Sequence, residues 1–130
     1  GDRNYETTYE EAIEFYRKAE LYFKDEQIQQ AEQYLQKALE MRPPYPKMYL
    51  LKIDCDLLLQ NTKQALITCN QALELLDEPK YQAAASIYDR VELLYAKKKI
   101  LQEMQDFDKA MKVTEKLETM LKKASDDQTI

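Results

Sequence analysis

Glycine is nearly missing from this chain, and histidine is missing altogether. The only glycine among 130 residues is Gly1. Glycine supplies the positive φ that phosphate-cradling loops need, so neither a Rossmann nor a P-loop nucleotide site is expected. Without histidine, no Ser-His or Cys-His catalytic couple and no common Cys/His zinc set can form. The two cysteines, Cys55 and Cys69, each sit in an apolar helical pattern. The default for both is a buried, reduced thiol, and no framework of spacings supports a disulfide between them. No run approaches the roughly 20 apolar residues of a membrane span. No secretory segment opens the chain. The opening Gly1-Asp2 reads as a cloning remnant, so this says little about compartment, and a cytoplasmic setting is the one favoured.

Excess positive charge is also lacking. The net charge is −5, from 24 acidic and 19 basic side chains. Nucleic-acid binding leans on Lys and Arg against phosphate, so no nucleic-acid partner is expected. The charge is uneven: residues 1–26 carry eight acids and four bases, and residues 96–123 carry eight lysines and five acids. A charge-laced, solvated helix surface is the simplest reading of that pattern.

What the chain does have is Ala, Leu, Glu, Gln and Lys, all good helix formers, in runs of helical period. Ile13, Tyr16, Ala19, Tyr22 and Phe23 make one apolar face starting near Tyr9. Lys24-Asp25-Glu26 interrupts it, and Ile28, Ala31, Leu35, Ala38 and Leu39 make the next. Pro43, Pro44 and Pro46 end that helix, and Pro46 suits the first turn of a third. The third presents Met48, Leu51, Cys55 and Leu58, widened by Leu50, Ile53 and Leu57. Gln60–Thr62 is the next break, and the fourth helix runs through Ala65, Leu66, Cys69, Ala72, Leu73 and Leu76. Asp77 is expected as an N-cap with Pro79 as an early helical residue. One unbroken helix of about 26 residues then runs to Met104. Gln105-Asp106 turns the chain into a sixth helix with Phe107, Ala110, Met111, Thr114, Leu117, Met120 and Leu121 on one face, before a polar tail.

The chain also repeats itself. "AEQYLQKALEMRPPYP" from Ala31 is echoed 34 residues later by "ALITCNQALELLDEP" from Ala65, with Ala38 matching Ala72, Leu39 Leu73 and Glu40 Glu74. A 34-residue helix-turn-helix unit with small residues at fixed places resembles the tetratricopeptide repeat family. Phe15, Ala19 and Tyr22, then Ala31, Ala38 and Pro43, match its order in the first unit; Tyr49, Ala65 and Ala72 do so in the second, and Leu94, Leu101, Phe107 and Ala110 in the third. Departures are Ile53 and Lys98 at small positions, Asp56 at an aromatic one, and Leu117. From Ala65 to Ala110 is 45 residues. The excess of eleven is about three helical turns, read as a lengthened first helix in the third unit, beginning near Pro79.

The resemblance implies a single all-α domain: a right-handed superhelical array of antiparallel helix hairpins, six helices in three repeats over residues 9–45, 46–78 and 79–124, with 125–130 as tail. It implies a non-catalytic module that binds a peptide or helical segment in a concave groove, without cofactor or metal. Carried over position by position, the groove is Tyr16, Glu20 and Phe23, then Leu50, Asp54 and Leu57, then Tyr95, Lys99 and Gln102. One branch of the family grips the C-terminal carboxylate of chaperones with Lys, Asn and Arg. Here the matching positions are Tyr16, Glu20 and Leu51, and an acid repels a carboxylate; that partner is therefore not expected. A protein ligand with apolar anchors and a Lys or Arg suits the groove better. No membrane partner is expected, and a homo-oligomer or a larger parent chain stays open, as does a structural or spacer role. Most of the ten tyrosines are read as filling space between hairpins. Lys97–Lys99 point to three sides of a helix and form no single patch. Met104, Met111, Met120 and Leu121 exceed what one packing face needs; simple core is the preferred reading, with cover by the fifth helix or a partner as alternatives.

Overall fold

The helix-forming runs all become helices. In the computed structural model of the protein, the backbone is described for residues 2–128 and the side chains for residues 9–127. Six α-helices follow in order: α1 (Asp2–Lys24), α2 (Ile28–Glu40), α3 (Pro46–Leu58), α4 (Thr62–Asp77), α5 (Ile87–Glu103) and α6 (Phe107–Gln128). A 3₁₀ helix, Pro79–Ala84, lies between α4 and α5. No strand occurs among the described residues. α1 pairs with α2, α3 with α4 and α5 with α6, and successive hairpins stack through α2 on α3, α4 on α5 and α3 on α5. This is an all-α array of antiparallel helix hairpins. α1 begins earlier than its apolar face requires, and α6 continues through the expected tail as far as Gln128.

Each hairpin turn is closed in the same way despite the lack of glycine. Glu26, Gln60 and Gln105 each take φ of 62°. The amide after each reaches back over a full turn: Gln27 to the Tyr22 carbonyl, Asn61 to Asp56 and Asp106 to Leu101, at 2.7–2.9 Å. These are left-handed helix caps that satisfy the last carbonyls. The three residues sit 34 and 45 apart, the same spacing as Ala31, Ala65 and Ala110.

The small residues act where the repeat pattern puts them. Ala12, Ala19, Ala31, Ala38, Ala65 and Ala72 are fully buried. Without side chains beyond Cβ they let helix backbones approach, and Leu35, Ile53, Leu76, Leu93 and Ile100 fill the remaining space. Cys55 and Cys69 are free, buried thiols. The Cys69 thiol donates to the Leu93 carbonyl at 3.1 Å.

Four expectations need correction. The eleven extra residues of the third repeat do not extend α5. Residues 79–86 of this stretch instead form the 3₁₀ helix and an extended Ala85-Ser86 step, because Ser86 starts α5 afresh with a capping box. The Asp89 amide donates to Ser86 Oγ at 3.2 Å, and the Ser86 amide donates to Asp89 Oδ2 at 3.0 Å. Asp77 caps nothing; it ends α4 and pairs with Arg90 at 3.6 Å, while Arg90 also donates to the Leu76 and Gln82 carbonyls. In α3 the apolar face is misplaced: Leu58 is 60% exposed, whereas Lys52 and Asp56 are buried. In α6 the buried face is Ala110, Val113 and Leu117, leaving Phe107 63%, Met111 61% and Leu121 45% exposed, so these are not core.

Lys52 and Asp56 are one helical turn apart on α3. The Lys52 ammonium lies 2.8 Å from both Asp56 oxygens and 3.4 Å from Glu32 Oε1 on α2. Thr68 on α4 is a further hydrogen-bond partner of the Asp56 carboxyl. A buried charge pair thus joins three helices at the centre of the array. No buried side-chain nitrogen or oxygen among the described residues lacks a partner.

Candidate partner-binding groove

Ile13, Tyr16, Arg17 and Glu20 recur at three- and four-residue steps on α1, and such residues share one helix face. Opposite them stands the first turn of α3, where Tyr45, Pro46, Lys47 and Met48 present a proline-initiated helix start. Asp89, in the first turn of α5, completes a cavity of about 430 Å³. The first helix of every hairpin therefore contributes to it. Its walls are mostly apolar, with four charges: Arg17 and Lys47, Glu20 and Asp89. Asp89 is committed to the α5 cap. Burial pushes the Tyr16 hydroxyl above its ordinary value, and the Glu20 carboxylate adds to this by charge and by accepting a hydrogen bond.

A tyrosine wall stands next to this cavity. Tyr45, one of the lining residues, packs edge-on against Tyr9, with ring centres 5.8 Å apart at 74°. The Tyr9 and Tyr81 hydroxyls are hydrogen-bonded at 3.0 Å across 72 residues of sequence. Tyr81 belongs to the 3₁₀ helix and is buried beside Tyr49. The inserted segment therefore folds back onto the first helix of the chain.

Of the nine residues expected in the groove, Tyr16 and Glu20 line this cavity. Phe23 lies further along α1, half-buried against Ala19, Ala31, Leu35 and Cys55. Leu50 and Leu57 are half-buried against the α3–α4 core. Asp54 and Lys99 come close enough for the ammonium to act on the carboxyl: partial desolvation raises the Asp54 pKa and Lys99 opposes it. Tyr95, Lys99 and Gln102 are exposed on α5. The residues missed are Ile13, Arg17, Tyr45, Pro46, Lys47, Met48 and Asp89. Ile13 and Arg17 were within reach of sequence reasoning, since each is three or four residues from Tyr16 or Glu20. Lys47 and Asp89 were not, because only the stacking of hairpins brings helix starts to one place. Of the tyrosines with described side chains, Tyr9, Tyr49 and Tyr81 are buried, Tyr16, Tyr22 and Tyr34 half-buried, and Tyr45, Tyr88 and Tyr95 exposed; Tyr5 lies outside those residues.

Among the described residues no helix is long and apolar enough to cross a membrane. The family model for the tetratricopeptide repeat matches residues 22–88. No curated protein sequence matches the chain. Among solved structures, the first TPR of Spaghetti (RPAP3), bound to the HSP90 peptide SRMEEVD, aligns with a TM-score of 0.67 at 18% identity, over 86% of this chain and 80% of that one. At that identity the likeness is one of fold. It nevertheless overturns the expectation that a chaperone C-terminal carboxylate is an unsuitable partner for an array of this fold, since that structure is bound to an HSP90 peptide. That expectation rested on Tyr16, Glu20 and Leu51 and left out Arg17 and Lys47, which line the same cavity, so that its four charges are two cations and two anions.

Proposed function

Because the chain belongs to the tetratricopeptide repeat family, we propose that it is a non-catalytic interaction module whose groove between α1, α3 and α5 receives a peptide or helical segment of another protein. The observation that carries this is the cavity itself: apolar walls of Ile13, Tyr16, Pro46 and Met48, with cations and anions at fixed places around them. Apolar walls supply affinity, and a few placed charges orient the ligand. Arg17 and Lys47 suit a ligand carboxylate, and Glu20 suits a Lys or Arg of the same ligand. On this reading the ligand continues along α3 and α5, which pack together, toward Asp54, Lys99, Tyr95 and Gln102.

The test is binding of fluorescent peptides, read by anisotropy. The panel contains SRMEEVD, its C-terminally amidated form, and a displayed library of random peptides. Arg17→Glu and the double variant Glu20→Arg/Asp54→Arg are compared with wild type, after circular dichroism shows each folded. Selected peptides should lose about tenfold or more in affinity on one of these variants. Peptides that bind wild type and both variants equally place the site elsewhere.

A second reading is a structural or oligomerisation segment. The exposed Phe107, Met111 and Leu121 of α6 favour it, since large apolar side chains clustered in water offer a contact to a further repeat, a domain or a second copy. A mass that rises with concentration in light scattering supports oligomerisation, and a constant monomer mass leaves only the structural or spacer role within a larger chain.

A further inference from the structure

The outward face of α6 repeats a surface that is covered elsewhere in the molecule. Phe107, Met111, Thr114, Glu118 and Leu121 follow one another at steps of four and three residues, so they form one stripe along the helix. Phe107, Met111 and Leu121 are exposed in it. By the 45- and 34-residue spacings, Met111 stands where α4 has Leu66 and α2 has Glu32, and Glu118 stands where they have Leu73 and Leu39. In the first two hairpins these positions meet the next hairpin. Leu66 and Leu73 pack against the cluster that holds Leu94 and Leu101 of α5. Leu39 packs against the cluster that holds Met48 of α3, and Glu32 approaches the Lys52 ammonium of α3 at 3.4 Å. The α6 stripe is the same surface left open to solvent. Glu118 is exposed in it and forms no ion pair with any described residue.

We propose that this stripe is a second docking site, independent of the groove, which takes an amphipathic helix of a partner protein whose apolar face carries one Lys or Arg opposite Glu118. The contacts of α2 with α3 and of α4 with α5 continue onto α6 by the repeat spacing, and in both the covering element is a helix. Its apolar side chains cover Phe107, Met111 and Leu121. Covering Glu118 without a cation strips water from an unpaired carboxylate, and the contact of Glu32 with Lys52 shows how the chain answers an acid at such a place. A second copy of the chain lacks this chemistry. Its α1, which has the open face at the other end of the array, carries Glu14 where α3 has Met48, and so sets one acid against another. Its α6 has no cation within the stripe, and pairing two copies of α6 leaves both Glu118 carboxylates unanswered. Nor does the chain fold back onto this surface as it does in the first two hairpins. α2 and α4 end at Glu40 and Asp77, the counterparts of Thr119 and Lys122, whereas α6 runs on to Gln128. That is about 9 Å past Lys122 at 1.5 Å per residue. The covering helix is therefore one supplied by another molecule.

The probe is a pair of labelled, lactam-stapled helical peptides with a leucine face, identical except for Lys or Glu at the centre of that face, titrated against the full chain by anisotropy. Wild type should bind the Lys peptide about tenfold or more tighter than the Glu peptide. Glu118→Lys should reverse that preference, and Met111→Asp should weaken both peptides about tenfold or more. Both residues are exposed, so the fold should persist in each variant, which circular dichroism checks. Arg17→Glu, which alters the groove, should leave both affinities unchanged, so failure of this site and failure of the groove are told apart. The proposal is overturned if neither peptide binds, if the preference survives Glu118→Lys, or if Arg17→Glu rather than Met111→Asp weakens binding. It is also overturned if light scattering shows a dimer that Met111→Asp separates, which gives the face to a second copy.

Discussion

Asp56 stands where a repeat of this kind normally keeps an aromatic side chain, and Lys52, one turn earlier on α3, is paired with it. Both are fully buried, at 0% exposure, and joined by two 2.8 Å hydrogen bonds. Removing one member leaves the other uncompensated, so Lys52→Met should cost about 3–5 kcal/mol. Replacing both, as Lys52→Met/Asp56→Phe, should recover most of that loss or exceed wild type, since a packed apolar pair avoids the desolvation of two ions. Urea denaturation of the two variants checks this. A double variant as unstable as the single one would show that the pair specifies the packing of α2, α3 and α4 in a way an aromatic cannot. At the same scale, burial pushes the thiols of Cys55 and Cys69 up to about 12 and about 11, from an ordinary 9.0. The nearby carboxylates of Asp56 and Asp54 add to the shift at Cys55, and Lys97 opposes it at Cys69. Tyr49 is likewise pushed by burial to about 12 from 10.0. In the unfolded chain these groups ionise near 9 and 10, whereas in the folded chain they keep their protons to 11 or 12. The folded state therefore binds more protons in that interval, and stability falls as pH rises through it. Melting temperatures measured from pH 8 to 11 should decline, and Cys69→Ala should flatten the decline.

The elements show a different economy. Three hairpin turns place Glu, Gln and Gln in the left-handed region, where a Cβ costs about 1–2 kcal/mol. Glycine removes that strain and adds freedom to the unfolded chain, which offsets about 0.5–1 kcal/mol of the gain. Gln60→Gly should thus stabilise by about 0.5–1 kcal/mol, measured as a higher denaturation midpoint with an unchanged slope. A loss of stability would mean that the Gln60 side chain contributes contacts beyond its backbone role. The turns themselves were legible at Lys24–Glu26, Gln60–Thr62 and Gln105-Asp106, because apolar periodicity stops there. The start of α5 was less so. Its capping box sits at Ser86 and Asp89, but Pro79 also offers a helix start, and periodicity alone does not say which one the chain uses.

Across the whole molecule, stacked repeats ordinarily touch only their neighbours. The Tyr9–Tyr81 hydrogen bond departs from that rule, since it joins the first helix to the insertion ahead of the third hairpin. Tyr81 also belongs to the core around Tyr49, Leu76 and Leu93. Tyr81→Ala should therefore destabilise by about 3–5 kcal/mol through the lost burial and also weaken the coupling between ends of the array. Hydrogen exchange should quicken in α1 and α5 together, and urea unfolding should broaden or divide into two steps. Faster exchange confined to residues 79–90 would instead show that the contact with α1 carries no energy.

Local chemistry was enough to determine that the chain is helical, the order of its helices, the hairpin pairing and the 34-residue period. Period and propensity act between residues a few positions apart, and the buried Ala12, Ala19, Ala31, Ala38, Ala65 and Ala72 mark close approach of backbones wherever they stand. Tertiary structure alone decided which face of α3 is inside. A helix packed by α2, α4 and α5 has no single wet side, so a buried Lys52–Asp56 pair reads in sequence as surface, and an exposed Leu58 reads as core. The same holds for the groove cavity. Lys47 and Asp89 meet Arg17 and Glu20 only through the angles at which hairpins stack. Those angles are set by side-chain interdigitation summed over many weak contacts, which no short stretch of sequence carries.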